Sequence, residues 1–254
     1  MKLDVVYTLK DSEPNHDLRY SLRSLEKYGG EIGNVWIVGH CPSWVKNVIH
    51  LPTEQCNDKH ISVRYNWETV CRCDLISDDF ILMNDDFIIT EPVQNWIDFT
   101  NLNMGTLDEK AKRLEKEDML GSKWLKGFRF NRELLLKMGV PFEPLNFEYH
   151  GAMIINRYKR LEMIKRPELR KHLHISNPLY FQRSVYGNLY GRQDGKKIHD
   201  SKFVEDVQDY SRLTENGFFS VGDNMIGYPE NYPFINAWLN AEFPYKSSYE
   251  KLVE

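Results

Sequence analysis

No stretch of this 254-residue sequence reaches the roughly 18–20 consecutive apolar residues that cross a bilayer. The first residues, Met1-Lys2-Leu3-Asp4-Val5-Val6, place an acid inside their apolar run and lack the hydrophobic region of a signal peptide, so a cytoplasmic protein is expected. Cysteine is scarce: Cys41, Cys56, Cys71 and Cys73. The Cys71-Arg72-Cys73 spacing is one residue short of a zinc knuckle and no second pair follows, so the four read as free thiols of a reducing compartment. Excess positive charge is also missing. The formal net charge is −4, which gives no overall pull toward nucleic acid or anionic membrane. Lys and Arg do gather in 109–137, 157–171 and 192–202, runs that read first as solvated helix faces. Neither Gly-x-Gly-x-x-Gly, nor a Walker loop, nor a Gly-x-Ser-x-Gly elbow occurs, which removes most support for a dehydrogenase, a nucleotide kinase or a serine hydrolase.

What remains is an ordinary globular composition, 41% hydrophobic and 28% charged, long enough for one core with a small helical annex. Residues 3–9 read as a first strand, a polar loop follows, and 17–28 read as a helix with Leu18, Leu22 and Leu25 at helical spacing and Gly29-Gly30 at its end. Residues 34–39 are a second buried strand, 45–51 hold a possible third, and 60–75 form a helix. Asp79–Met83 is a strand and Phe87–Ile89 resumes β character. A charged helical stretch covers 107–138, broken by Pro141 and Pro144. A returning strand spans 147–155 and carries His150, and a second charged helix runs over 157–173. The aromatic, glycine-containing last third reads as a segment closing over a site. Strand–helix–strand order predicts an α/β fold with a mainly parallel sheet, whose ligands gather at one set of strand ends.

Five features bear on chemistry. Asn84-Asp85-Asp86 puts two carboxylates directly after an apolar strand. Buried carboxylates need a partner, and a hard divalent ion held by Asp85 and Asp86 would supply one, since Mg²⁺ takes one or two carboxylates and completes its shell with water and phosphate. Solvated acids at a capped turn fit the same residues. Arg19 and Arg23 share one helix face and suit phosphate oxygens, or else pair on the surface with Glu13, Asp17 or Glu26. His150 suits a base for a hydroxyl, or a satisfied structural role beside its aromatic neighbours. Arg183 suits a phosphate clamp, or packing with an exposed head. Asp223, in Ser220-Val221-Gly222-Asp223-Asn224, suits a sugar hydroxyl or a metal, or a glycine-containing turn. Thr8, near the end of the first strand, joins Asn84 on the expected ligand side.

Several segments occur in a familiar order: Asp4-Val5-Val6-Tyr7-Thr8, the run from Leu18-Arg19-Tyr20-Ser21 to Glu26-Lys27, Val35-Trp36-Ile37-Val38 with Pro42-Ser43-Trp44, and Phe80-Ile81-Leu82-Met83-Asn84-Asp85-Asp86. This series resembles the Stealth family of sugar-1-phosphate transferases. It is also similar to short glycosyltransferase-type proteins of phages, a likeness that extends to Asn146-Phe147-Glu148-Tyr149-His150, to the run from Arg183 to Asn188, to that from Phe219 to Asp223, and to that from Phe243 to Glu250. The resemblance implies a GT-A-like (Rossmann-like) nucleotide-sugar transferase fold with helical insertions in a single domain over 1–254. Residues 1–100 would be the nucleotide-sugar-binding core, and 101–254 a helical insertion, acceptor side and closing segment. It implies a UDP-sugar type donor, Mg²⁺ or Mn²⁺ at Asp85 and Asp86, catalytic weight on Asp86, His150 and Arg183, and donor binding by Thr8, Arg19, Arg23, Asn84 and Asp223.

Two reactions share these parts. Attack at the anomeric carbon releases nucleoside diphosphate and moves a sugar; attack at the sugar-bearing phosphorus releases nucleoside monophosphate and moves a sugar phosphate. Both need positioning and charge neutralisation. The broader glycosyltransferase expectation is carried forward, with a carbohydrate or other hydroxyl-bearing polymer as acceptor. Transfer to modified DNA bases and an inactive sugar- or nucleic-acid-binding module are the alternatives.

Overall fold

The computed structural model describes all residues except 1, 11–12, 55, 57, 174–178, 224 and 252–254, and leaves aside the side chains of 59, 60 and 173. In chain order the first half forms β1 (Asp4–Leu9), α1 (His16–Tyr28), β2 (Val35–Gly39), β3 (Ile49–Leu51), α2 (Lys59–Arg72), β4 (Asp79–Met83), β5 (Phe87–Ile89), α3 (Trp96–Phe99), β6 (Leu102–Asn103), α4 (Leu107–Lys116) and α5 (Lys123–Lys137). The second half forms β7 (Met153–Asn156), α6 (Arg157–Lys165), α7 (Pro167–Leu173), α8 (Gln182–Tyr190), β8 (Lys196–Lys197), β9 (Lys202–Phe203), α9 (Ser211–Thr214), β10 (Phe218–Val221) and α10 (Pro233–Glu242).

The central sheet has the order β3-β2-β1-β4-β7. Its first four strands are parallel, and β7 returns antiparallel along β4. Side chains alternate across it, as the period of two requires. Val6, Trp36, Val38, Phe80 and Leu82 pack on one face with Trp67, Leu135 and Val185. Val5, Tyr7, Leu9, Ile37, Ile81 and Met83 pack on the other with Leu18, Leu22 and Leu25 of α1. Each of those three leucines is fully buried, worth roughly 1.5–3 kcal/mol of transfer free energy apiece. A second sheet, β5-β10-β9, extends the same end of the molecule. It is tied to α1 by the Ser21 hydroxyl donating to the Phe87 carbonyl at 2.5 Å and by the Ile89 N–H donating to Ser24 Oγ at 3.0 Å.

The acid inside the first apolar run has a structural use. Asp4 is buried and accepts hydrogen bonds from the Asn34 N–H (2.7 Å), the Trp36 indole (3.2 Å) and the Ser77 N–H (3.0 Å). One carboxylate thus joins the leading ends of β1, β2 and β4, and its partners carry the cost of its burial.

Four expectations change. The helical stretch 107–138 is two antiparallel helices, because Asp118 takes a left-handed backbone (φ 56°) and Ser122 caps a new start. The 157–173 helix is likewise two, with Pro167 opening the second, where its missing N–H costs nothing. The returning strand begins only at Met153, so His150 stands on the turn before it. The last third also holds regular structure, α8, β10 and α10, that its aromatic and glycine content obscured.

Candidate functional site

The C-terminal ends of β1 and β4 open into a cavity of about 580 Å³. Thr8, Leu9, Lys10, Asn84, Asp85, Trp124, Glu148, Phe181 and Arg183 are among the residues that line it. Four of the residues singled out in the sequence, Thr8, Asn84, Asp85 and Arg183, therefore face a common space. This is the side of an open parallel sheet where ligands bind.

Asp85 sits beneath the N-terminus of α1. Asn15 caps that helix, its Oδ1 accepting from the Leu18 N–H at 3.0 Å, and its Nδ2 donates to Asp85 at 2.9 Å. Asp86 turns toward the second sheet, where Ser220 Oγ donates to it at 2.6 Å and Lys202 Nζ lies at 3.5 Å. Asp17 and Asp223 complete an acidic group felt at both ends. Burial, then the charges of Asp85, Asp86 and Asp223, push the Asp17 carboxyl up to about 8, against the opposing pull of Lys202. Burial and the neighbouring Asp86 push Asp85 up to about 6, although the Asn15 hydrogen bond works the other way.

Lys202 is thus the cation set against Asp17 and Asp86 in this group. Among the described residues no three His, Cys, Asp or Glu side chains stand close enough to form a ready-made metal cage. The donor set nevertheless suits a hard cation that takes two carboxylates and finds its other ligands in water and phosphate. Burial first, then mutual repulsion, raises Asp17 and Asp85, and a bound cation would offset both.

Arg183 is held rather than free. Its Nη2 donates to the Gly151 carbonyl at 2.7 Å and its Nε to the Phe147 carbonyl at 3.3 Å, while the guanidinium lies over the rings of Tyr149 (5.0 Å) and Phe87 (5.8 Å). Glu148 lies beside it. Burial raises the Glu148 carboxyl, and the Arg183 charge opposes the rise. His150, on the same turn, meets Asp200: Nδ1 stands 3.0 Å from both carboxylate oxygens.

Arg19 and Arg23 are engaged elsewhere. Arg23 Nε and Nη2 hold Glu250 at 2.7 and 2.9 Å, and Arg19 Nη1 reaches the same carboxylate at 3.2 Å while stacking on Trp44 at 4.0 Å. The Glu250 side chain is fully buried. Burial alone would raise its carboxyl; the Arg23 bonds and the Ser247 N–H more than offset this. The pairing partner is thus none of the three nearby acids expected, but one at the far end of the chain. Some cations of the basic runs are paired as well: Lys112 with Asp108, Arg113 with Glu117, Arg129 with Glu115, Arg132 with Glu143, Arg192 with Asp194 and Lys197 with Glu109.

Sequence reasoning missed Asn15, Asp17, Glu148, Asp200, Lys202 and Ser220 as site residues. Glu148 and Ser220 stood inside runs already singled out. Lys202 stood in the basic run 192–202 and Asp200 beside it, but their roles carried no local signal, because the pairing of β9 with β10 brings that segment in. Among the described residues no helix is long and apolar enough to cross a membrane.

No family model matches the sequence, and no curated protein matches it. Solved structures do. The galactosyltransferase LgtC, in complex with donor and acceptor sugar analogues, aligns with 97% of this chain and 98% of its own at 11% identity, with a TM-score of 0.53. The bifunctional glycosyltransferase WbbM in its apo form aligns with 96% of this chain and 50% of its own at 9% identity, with a TM-score of 0.50. At such identities the likeness is one of fold, and the chain has a GT-A-like glycosyltransferase fold.

Proposed function

We propose that the protein is a nucleotide-sugar-dependent glycosyltransferase that moves a sugar from a UDP-sugar type donor to an acceptor hydroxyl. The observation that carries this reading is the convergence of Thr8, Asn84, Asp85 and Arg183 on one cavity at the trailing edge of the parallel sheet. The fold shared with LgtC and WbbM supports it.

In this reading Thr8 and Asn84 hold the donor, and Asp85 and Asp86 hold Mg²⁺ or Mn²⁺. Such an ion, when bound, offsets charge on the leaving diphosphate. Asp223 adds a carboxylate to this group, and a bound cation would favour the ionised form of Asp17, whose carboxyl is otherwise pushed up to about 8. Arg183, fixed by the Gly151 and Phe147 carbonyls, presents a positive charge to the cavity. His150 receives the acceptor proton. Arg19 and Arg23 serve the fold through Glu250, and no donor contact is assigned to them.

A second reading, transfer of sugar 1-phosphate, draws on the resemblance of the early segments to the Stealth family. Incubation with UDP-sugars and Mn²⁺, followed by chromatography, separates the two: UDP is expected, UMP alone would give the second reading, and neither nucleotide would reject both. Asp86→Asn is expected to abolish release while the far-UV spectrum stays unchanged; full activity in that variant would remove Asp86 from the site. Transfer to DNA bases is disfavoured by the formal net charge of −4.

A further inference from the structure

We propose that Asp200 is a positioning residue that holds His150 with its Nδ1 proton on the Asp200 carboxylate and its Nε2 lone pair free to take the proton of an acceptor hydroxyl. The inference rests on the transferase reading above.

Three contacts define the pair. Nδ1 lies 3.0 Å from each Asp200 oxygen, and the His150 N–H donates to Asp200 Oδ1 at 3.3 Å. The carboxylate therefore grips both the ring and the chain that carries it. Burial acts to raise the Asp200 carboxyl, but the His150 hydrogen bonds and charge, with Lys110, more than compensate and leave it below its ordinary value. An ionised carboxylate only accepts, so Nδ1 must donate, and in a neutral imidazole that leaves Nε2 as the acceptor. The same logic underlies any histidine base oriented by a carboxylate.

The surroundings fix where this base stands. Asn216 Nδ2 donates to the His199 carbonyl (3.3 Å) and to Ser201 Oγ (2.8 Å), bracketing Asp200 on both sides. The Ser220 N–H donates to the Ser201 carbonyl at 3.0 Å, which ties the same segment to β10. Lys202, two residues on, reaches Asp86. Alternate residues of an extended chain project to one side about 6.5 Å apart, so this short segment presents one residue to His150 and the next-but-one to the acidic step. On the histidine's side, a Cβ at Gly151 would stand 2.4 Å from the Phe218 ring, so the turn is pressed against β10. The other charges facing the pair are Lys110 from α4, on Asp200, and Glu148, on His150.

The step balances simply. The acceptor oxygen forms a bond to the anomeric carbon, the bond from that carbon to the diphosphate breaks, and the nucleoside diphosphate leaves with the electron pair. The acceptor proton passes to His150 Nε2, and Asp200 stabilises the imidazolium that results.

The test compares Asp200→Asn, Asp200→Glu, His150→Ala and the Asp200→Asn/His150→Ala double variant. Asp200→Asn is expected to lower kcat by about 10²-fold with the donor KM unchanged, because the ring is no longer held in the tautomer that accepts the proton. Asp200→Glu should recover part of the loss, and the double variant should be no slower than His150→Ala alone. A raised donor KM with kcat unchanged, or additive losses, would make Asp200 merely structural and overturn the proposal. Nitrogen-15 NMR of the imidazole reads the pair without turnover: the Nδ1-protonated tautomer is expected in the parent protein, and the Nε2-protonated one would overturn the proposal. If the parent protein turns over no nucleotide-sugar, the transferase reading fails, while the tautomer still decides whether Asp200 sets the ring.

Discussion

Asn15 makes two hydrogen bonds in opposite directions: its oxygen caps α1 at the Leu18 N–H, and its nitrogen donates to Asp85 at 2.9 Å. It does so from a left-handed backbone, φ 48°, a region that asparagine tolerates better than most side chains. Asn15→Ala should therefore cost about 2 kcal/mol, roughly half from the lost cap and half from alanine in that backbone region. Asn15→Gly should cost under about 1 kcal/mol, because glycine accepts the backbone and is a fair cap. Both remove the donor to Asp85, so both should weaken UDP–Mn²⁺ binding alike despite unequal melting temperatures. Denaturant melts and calorimetric titration measure the two effects. Donor affinity that tracked stability instead would show that Asn15 acts only on the helix.

The crowded acids predict a sign for the pH dependence of stability. The Asp17 and Asp85 carboxyls rise from an ordinary 3.8 to about 8 and about 6 in the folded chain. Across the interval from about 4 to about 8 the folded chain binds more protons than the unfolded one, so this contribution makes stability fall as pH rises. Asp17→Asn should flatten that slope and raise the melting temperature at about pH 8 with little effect at about pH 4. Mn²⁺ should stabilise the parent protein more at the higher pH. Thermal melts across this range check both, and an equally steep slope in Asp17→Asn would remove Asp17 from the acidic group.

The Arg19–Arg23–Glu250 cluster is where the residues are legible and the role is not. Two arginines one turn apart announced an anion, and an anion is there, but it lies 227 residues beyond Arg23 in the chain. Arg23→Ala leaves a buried carboxylate half satisfied and should cost about 3 kcal/mol or more. The Arg23→Ala/Glu250→Gln pair should recover much of that loss. Donor affinity should stay within about twofold of the parent, since the altered bonds serve the fold alone. A tenfold loss of UDP affinity with unchanged stability would return Arg23 to the donor site.

The same contrast runs through the whole fold. β1, α1, β2 and β4 were legible because their apolar periodicity is local, and the acidic step was legible because it interrupts a buried strand. The break at Asp118 was hidden because a left-handed residue inside a charged helical run changes no periodicity. Asp200 and Lys202 were hidden because their partners, His150 and Asp86, lie 50 and 116 residues away and meet them only after β9 has paired with β10. Local pattern locates strands and the acids that end them, whereas charge partners across separate sheets depend on packing.

Lys202 offers the sharpest test of what the acidic step is for. It is the cation that lowers the Asp17 carboxyl and contacts Asp86, so it partly fills the role a divalent ion would take. If the step is a cation site, Lys202→Gln removes a competitor and deepens the local negative potential, so Mn²⁺ should bind more tightly, by about tenfold for an interaction worth about 1.4 kcal/mol. The same variant should be less stable than the parent when no divalent ion is present and should regain that loss as Mn²⁺ is added. If Asp85 and Asp86 are only solvated acids at a capped turn, Lys202→Gln should lose a little stability and Mn²⁺ should restore none of it. Manganese titrations followed by electron paramagnetic resonance, paired with melts at matched Mn²⁺ concentrations, separate the two.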